Sequence, residues 1–248
     1  RIIKRDYCFI ADTGPLLWGF ICAVVRQPQI AQLHGLSLIN GWRIDTGLAY
    51  LLRSLENALV RDGIYHIMFL ALESWLVPPL LRQGFYTDDY ILTLERNVPA
   101  QPLLPRHSAP QAVLRSLLPD EIGDLTALDH RAFAWPWRFS SGELVQMLMS
   151  ISRFVVLEHR GRLVGYACTD VRNARAQIIR LAVDPPYQSR GFGRYLLADA
   201  LDFAASAGAV SVTLNTQRRN QVSQRLYQGF GFRVVGRRIP VMLKALHG

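Results

Sequence analysis

The sequence predicts an α+β protein in which one domain plan is written twice. Two observations carry that expectation. Apolar patterns of strand and helix type follow one another irregularly, hairpins mixed with helices, unlike the regular alternation of a doubly wound sheet. In addition, four segments recur in the same order at a spacing of roughly 146 residues, long enough for a duplicated domain. "GPLLWGFICAVV" is answered by "GRLVGYACTDV", and "LHGLSLINGWRIDTGLAYLL" by "IIRLAVDPPYQSRGFGRYLL". "RDGIYHIMFLAL" pairs with "SAGAVSVTLNT", and "LLRQGFYTDDY" with "LYQGFGFRVVG". Pro99, Pro102, Pro105, Pro110 and Pro119 give residues 96–119 the composition of a stiff linker. The expected layout is a degenerate first copy over 1–96, a linker over 97–110 and a second copy over 111–248. The first copy begins near what would be its second strand, so one strand and two helices of the plan are expected to lie outside the sequence.

The second half justifies its elements in order. A strand is expected over about 111–117, then a helix from Asp120 to Phe133 with Ile122, Leu125 and Leu128 on its apolar face. The loop "FAWPWRFS" leads to a short helix over 141–150. Strands near 153–159 and 162–171 are joined by the turn "HRGR", and a third follows at 176–184. A helix begins near Tyr195, a strand covers 209–215, a helix covers about 220–229, and two strands close the chain.

Between the strand at 176–184 and the next helix stands Gln188-Ser189-Arg190-Gly191-Phe192-Gly193-Arg194. Glycines there permit a sharp turn and a close ligand approach. Free amides of a first helical turn, with the helix dipole behind them, favour an anion. The spacing fits neither nucleotide fingerprint: Leu196 stands where G-x-G-x-x-G needs its third glycine, and no Gly-Lys follows. A plain strand–helix turn explains the glycines equally well on this stretch alone.

Composition limits the function classes. The net charge is +9, but residues 1–100 carry 9 Lys/Arg against 9 Asp/Glu, so the whole excess lies beyond them. Such a half suits a polyanionic small ligand or nucleic acid. No apolar run is long enough for a membrane span, and no signal-peptide order is present. Cys8, Cys22 and Cys168 lack metal-ligand spacing and sit in apolar context, which reads as buried reduced thiols and a cytoplasmic protein. The six histidines form no ligand pattern, so no metal is expected.

Two motifs then carry a resemblance. Gln188-Ser189-Arg190-Gly191-Phe192-Gly193 after "LAVDPPY", and "NQVSQRLYQGFGF" from Asn220 to Phe232, resemble in order and separation the two signatures of the GNAT superfamily of acyl-CoA-dependent N-acetyltransferases. Ser223 stands where alanine is usual. The likeness covers about 111–248, and "RAFAWPWRFS" with Arg237-Arg238 is most similar to the ribosomal-protein alanine acetyltransferases. The first half resembles a degraded copy, with Gly47 alone left of the glycine pair, Glu73 opposite Asn220 and Leu80 opposite Tyr227.

The resemblance implies acetyl-CoA as cosubstrate and a tandem GNAT fold. It places the pyrophosphate on the amides of Ser189, Arg190, Gly191, Phe192, Gly193 and Arg194. It sets the pantetheine arm along Leu181, Ala182 and Val183, where a bulge splays the strand. Tyr227 is the implied proton donor to the thiolate, and Val183 N–H the donor to the thioester oxygen. Asn220 would meet the cofactor or simply cap its helix. Asn215 stands where the alanine acetyltransferases have a glutamate base and can only position a water. Asp184, Glu143 and Asp170 are further base candidates, and Asp184 before Pro185 equally suits a strand end. Phe133, Trp135 and Trp137 either line the acceptor site or close the domain by packing. Arg218, Arg219 and Arg225 read as a solvated helix face and loop, with a basic groove for nucleic acid as the other reading; neither nucleic acid nor membrane is the expected partner. A peptide or protein amine is the favoured acceptor, a small amine the second. A silent CoA-binding or nucleic-acid-binding module is the reading from another class.

Overall fold

The computed structural model describes residues 6–27, 29–39, 43–98 and 112–246. In chain order the first half holds β1 (Asp6–Asp12), β2 (Leu17–Gln27), β3 (Ile30–Leu38), α1 (Ile44–Arg61), β4 (His66–Leu70), α2 (Val77–Arg82) and β5 (Tyr86–Asn97). The second holds β6 (Ala112–Arg115), α3 (Ile122–Ala132), α4 (Ser141–Ser150), β7 (Arg153–His159), β8 (Arg162–Arg172) and β9 (Arg175–Val183). It continues with α5 (Phe192–Ser206), β10 (Ser211–Gln217), α6 (Gln221–Gly229) and β11 (Arg233–Ala245). The α+β expectation holds, and the repeat is structural. β1 through β5 correspond one by one to β7 through β11, with α1 matching α5 and α2 matching α6. Among the described residues, β6, α3 and α4 have no counterpart in the first half.

The chain forms two compact units, one of Arg1–Ile91 with Arg238–Gly248, the other of Leu92–Arg237. These limits differ at both ends from the expected copies over 1–96 and 111–248. The strand after α6 is built into the first unit, where Val241↔Leu70 through Ala245↔His66 pair antiparallel. The later part of β5 belongs to the second unit, where β5 neighbours β10. Of the expected linker, Asn97 ends β5 and Val98 N–H donates to Val210 O; 99–110 lies outside the described residues. The two closing strands expected after the second signature are a single strand, β11, and Arg237 and Arg238 sit within it.

In the first unit, α1 buries Leu48, Leu51, Leu52, Leu55 and Leu59 against the sheet, one face of a 3.6-residue period. Each such leucine contributes about 1.5–3 kcal/mol of burial. Met242 and Leu246 complete that core, so the closing residues of the chain are structural there.

The sheet of the second unit runs β5-β10-β9-β8-β7-β6 and is covered on both faces. Leu125 and Leu128 of α3 and Leu144 of α4 pack on Val156, Tyr166, Cys168 and Ala182. Opposite, Leu197, Ala200, Leu201 and Ala204 of α5 and Tyr227 of α6 pack on Ile178, Val212 and Leu214.

One cysteine expectation is corrected. Cys168 is a buried free thiol, but Cys8 and Cys22 form a disulfide. They are directly opposed in the β1–β2 ladder with Cα atoms 4.2 Å apart, a proximity that a separation of 14 residues conceals. The compartment argument from reduced thiols thereby loses two of its three cysteines. No described helix is long and apolar enough to cross a membrane.

Candidate active site

A bulge in β9 opens the site. Cys168 pairs with Arg180 and Thr169 with Ile178, so Ile179 is the extra residue. A bulge bends a strand and reverses which faces its side chains meet. Ala176 and Ile178 accordingly face α5, whereas Arg180 and Ala182 face α3. The parallel register with β10 runs from Ser211↔Arg175 to Leu214↔Ile178 and, among the described residues, goes no further. Past that point β9 parts from β10 and leaves a notch.

Antiparallel alternation assigns the backbone groups along the notch. Asp184 N–H donates to Val164 O at 2.9 Å, which commits Asp184, and by alternation Ala182, to β8. Leu181 therefore turns its N–H and C=O groups into the notch and Val183 its N–H, while Val183 O accepts from Gln188 Nε2 at 3.0 Å. This refines the expectation for the three residues: Ala182 lines the strand but spends its own polar groups on β8. Gly165 makes the fit possible, since a Cβ there would stand 2.7 Å from Ala182 O.

After β9 a 3₁₀ turn over Pro185–Tyr187 leads into the glycine loop. Ser189 (φ 61°) and Gly191 (φ 86°) are both left-handed, and Gly191 caps α5. Among the described residues, no backbone carbonyl accepts from the N–H groups of Ser189, Arg190, Gly191, Phe192, Gly193 or Arg194. Six successive amides at a helix start are a ready anion cradle. Gly193 needs no special conformation; a Cβ on it would lie 3.4 Å from Leu226 Cδ2 and 3.8 Å from Val183 Cγ2. That contact shows the start of α5, the end of β9 and α6 converging. The Phe192 ring is buried in the core, so only its amide is available. Arg190 lies over the Tyr187 ring and Arg194 over Phe230, both still exposed.

Tyr227, next to Leu226 on α6, is 7% exposed and meets Phe232 edge-on at 6.0 Å. Burial pushes its hydroxyl above the ordinary value, against a smaller lowering by the Ser223 hydrogen bond. The phenol is thus held protonated. Asn220 takes the capping role, its Oδ1 accepting from Ser223 N–H at 3.1 Å.

The base candidates are otherwise engaged. Asn215 is exposed and accepts from Thr93 Oγ1 at 3.0 Å. Asp184 is buried and gripped by Arg131 through two bonds of 3.0 and 2.7 Å, tying α3 to the end of β9. Glu143 closes the capping box of α4 with Ser140. Asp170 holds Ser152 and Arg172. Among the described residues, no group of His, Cys, Asp or Glu is suited to a metal.

The loop after α3 carries Phe133, half-buried, Trp135, 37% exposed, and Trp137, half-buried, around a cis Trp135–Pro136 bond. The sequence reading missed what holds this loop. Asp129 of α3 (0% exposed), Tyr166 of β8 and Arg180 of β9 (9%) form a buried polar cluster. Arg180 Nε and Nη2 donate to Asp129 Oδ2 at 2.9 and 2.5 Å, and Tyr166 OH donates to the same carboxylate. The available signal was two opposite charges at core-facing positions of an amphipathic helix and a strand.

Residues 122–232 match the profile of the Acetyltransferase (GNAT) family. Over 118 residues the chain is 32% identical to the [ribosomal protein bS18]-alanine N-acetyltransferase of Escherichia coli (strain K12), covering 45% of this chain and 76% of that protein. Over 162 residues it is 30% identical to the mycothiol acetyltransferase of Acidimicrobium ferrooxidans, covering 60% of this chain and 52%, about half, of that relative. A solved tandem GNAT protein from the clavulanic acid biosynthesis pathway shares the fold across 99% of this chain and 85% of its own, with a TM-score of 0.66 at 13% identity. With the paired signatures set on a splayed strand and two helix starts, the chain belongs to the GNAT acetyltransferase family, in its tandem form.

Proposed function

We propose that the second unit transfers an acetyl group from acetyl-CoA to a primary amine, with Tyr227 as the proton donor. One observation carries this reading: free amides at the start of α5, the outward backbone of Leu181 and Val183, and the α6 turn bearing Tyr227 converge on one notch. The amides of Ser189 to Arg194 suit a pyrophosphate, and Arg190 and Arg194 add charge beside it. The N–H and C=O of Leu181 and the N–H of Val183 offer strand-like pairing to an amide-bearing arm, which fits pantetheine. As the amine nitrogen bonds to the acetyl carbon, negative charge gathers on the carbonyl oxygen, where Val183 N–H would donate. The carbon–sulfur bond then breaks, and the thiolate takes the Tyr227 proton. The amine's own proton leaves through water, since Asn215 accepts none and Asp184 is held by Arg131.

A peptide or protein amine is the preferred acceptor. Trp135 and Trp137 would supply an aromatic wall, Phe133 being packed on the core and on Arg180, and the likeness to an enzyme named for a ribosomal-protein alanine supports this reading. A small-molecule amine is second, supported by the likeness to a mycothiol acetyltransferase. The test is a turnover screen with acetyl-CoA across peptides beginning with alanine, free amino acids, polyamines and aminoglycosides. The peptides should turn over fastest. Strong turnover of polyamines or aminoglycosides with none on peptides would reverse the ranking, and no turnover on any amine would leave a CoA-binding module.

A further inference from the structure

We infer that Arg180 is a positioning residue that sets the acceptor loop from the cofactor strand itself. The inference rests on the reading of Phe133–Phe139 as that loop. Its guanidinium lies between two rings, 3.4 Å from the Phe133 centroid and 4.0 Å from that of Phe139. Arg180 Nη2 also donates to Trp137 O at 2.8 Å. Its partner Asp129 accepts Phe139 N–H on Oδ1 at 2.8 Å. One arginine and its carboxylate thus fix both ends of the loop and a carbonyl within it.

A buried ion pair is weak evidence for stability, because an apolar replacement of equal volume often serves as well. What the pair supplies here is direction: a planar fork with two stacking faces, which lysine does not reproduce. The bulge at Ile179 explains how this is possible. It turns Arg180 toward α3 while Leu181 and Val183, one and three residues on, keep their backbone N–H groups in the notch. The strand that would present the acetyl group also places the wall against which the amine would rest.

The test compares wild type with Arg180→Lys and with the apolar pair Arg180→Met/Asp129→Leu, which leaves no buried charge unpartnered. Both should keep the acetyl-CoA Kd within about two-fold, while KM for an alanine-starting peptide rises on the order of ten-fold, a cost of misplacement rather than of lost chemistry. Amide exchange at Trp137–Phe139 should quicken, and that at Ser189–Arg194 should not. An unchanged loop exchange, or an unchanged KM beside a lowered Tm, overturns the inference. So does a loss of acetyl-CoA binding, which would make Arg180 a support of the cofactor strand. If wild type acetylates no amine, the proposed function and the acceptor role fail together, and loop exchange alone decides whether Arg180 orders the segment.

Discussion

At the scale of one side chain, the proposed chemistry turns on Tyr227. Burial raises its hydroxyl above the ordinary phenol value, so the proton is retained across the neutral range and remains available to a leaving thiolate. Tyr227→Phe keeps the ring that packs on Phe232 and removes the hydroxyl, with its proton and its bond to Ser223. Turnover should fall by roughly 10²–10⁴ while acetyl-CoA affinity in calorimetry stays near wild type. Full activity in that variant would assign the acid elsewhere. The buried place of Tyr227 on α6 was legible from its helical spacing, and the turn at Gly191 from its glycines, since a left-handed φ favours glycine. Arg180, Asp129 and Gly165 were not. Their roles depend on which neighbour lies across a sheet or against a helix, and only register supplies that. Asn220 shows the converse, since its capping bond was as readable from sequence as any cofactor role.

Elements of the second unit hold the notch in place, and their anchors respond to pH. Arg115 at the end of β6 donates to Glu121 at 2.6 and 2.7 Å, and to Glu158 of β7 at 2.7 Å. The hydrogen bonds from Arg115 lower the Glu121 carboxyl to about 2, against an opposing effect of burial. A carboxylate depressed in the folded state contributes fully above its unfolded value, about 4.3, and the contribution is lost as pH falls toward the folded one. Stability to urea should therefore decline between about pH 5 and pH 2, and Arg115→Gln should be less stable at neutral pH with a shallower acid decline. Parallel declines in the two proteins would remove this pair as the cause. The elements themselves were largely readable: the helix over 141–150 and the strand over 153–159 have the limits their periodicity gave. The closing strand was misread as two, because the run after Phe232 contains Gly236 and Pro240, ordinary signs of a break. Its inner residues Val241, Met242 and Leu243 are buried, and that burial sustains the strand past both.

Duplication poses the question for the whole molecule: whether two copies of a fold mean two cofactor sites. The first unit keeps more of the plan than its sequence suggests. His34 is an extra residue in β3 just as Ile179 is in β9, and the β3–β4 register stops at Leu33↔Phe69. Ile39 N–H donates to Trp18 O, repeating the Asp184–Val164 bond. The notch is therefore inherited, and what differs is the anion cradle. α1 follows Arg43 in extended conformation, and Asp45 stands in its first turn, where the dipole already favours a negative charge. Arg82 of α2 forks onto that carboxylate at 2.8–3.1 Å, alongside a cavity of about 590 Å³ lined by Arg43, Thr46 and Trp75. The start of α1 thus carries an acidic side chain already paired with an arginine, where the start of α5 carries none. Gly47 does not restore the cradle, since a Cβ there would press on Leu38 at 3.0 Å and Trp18 at 3.3 Å, which is a packing role. Calorimetry should therefore find a single acetyl-CoA per chain. Gly191→Val, which forces a β-branched residue into a left-handed position under the pyrophosphate, should abolish that site and leave no second one. A residual site of unchanged affinity in the variant would mean that the first unit, despite Asp45, holds the cofactor.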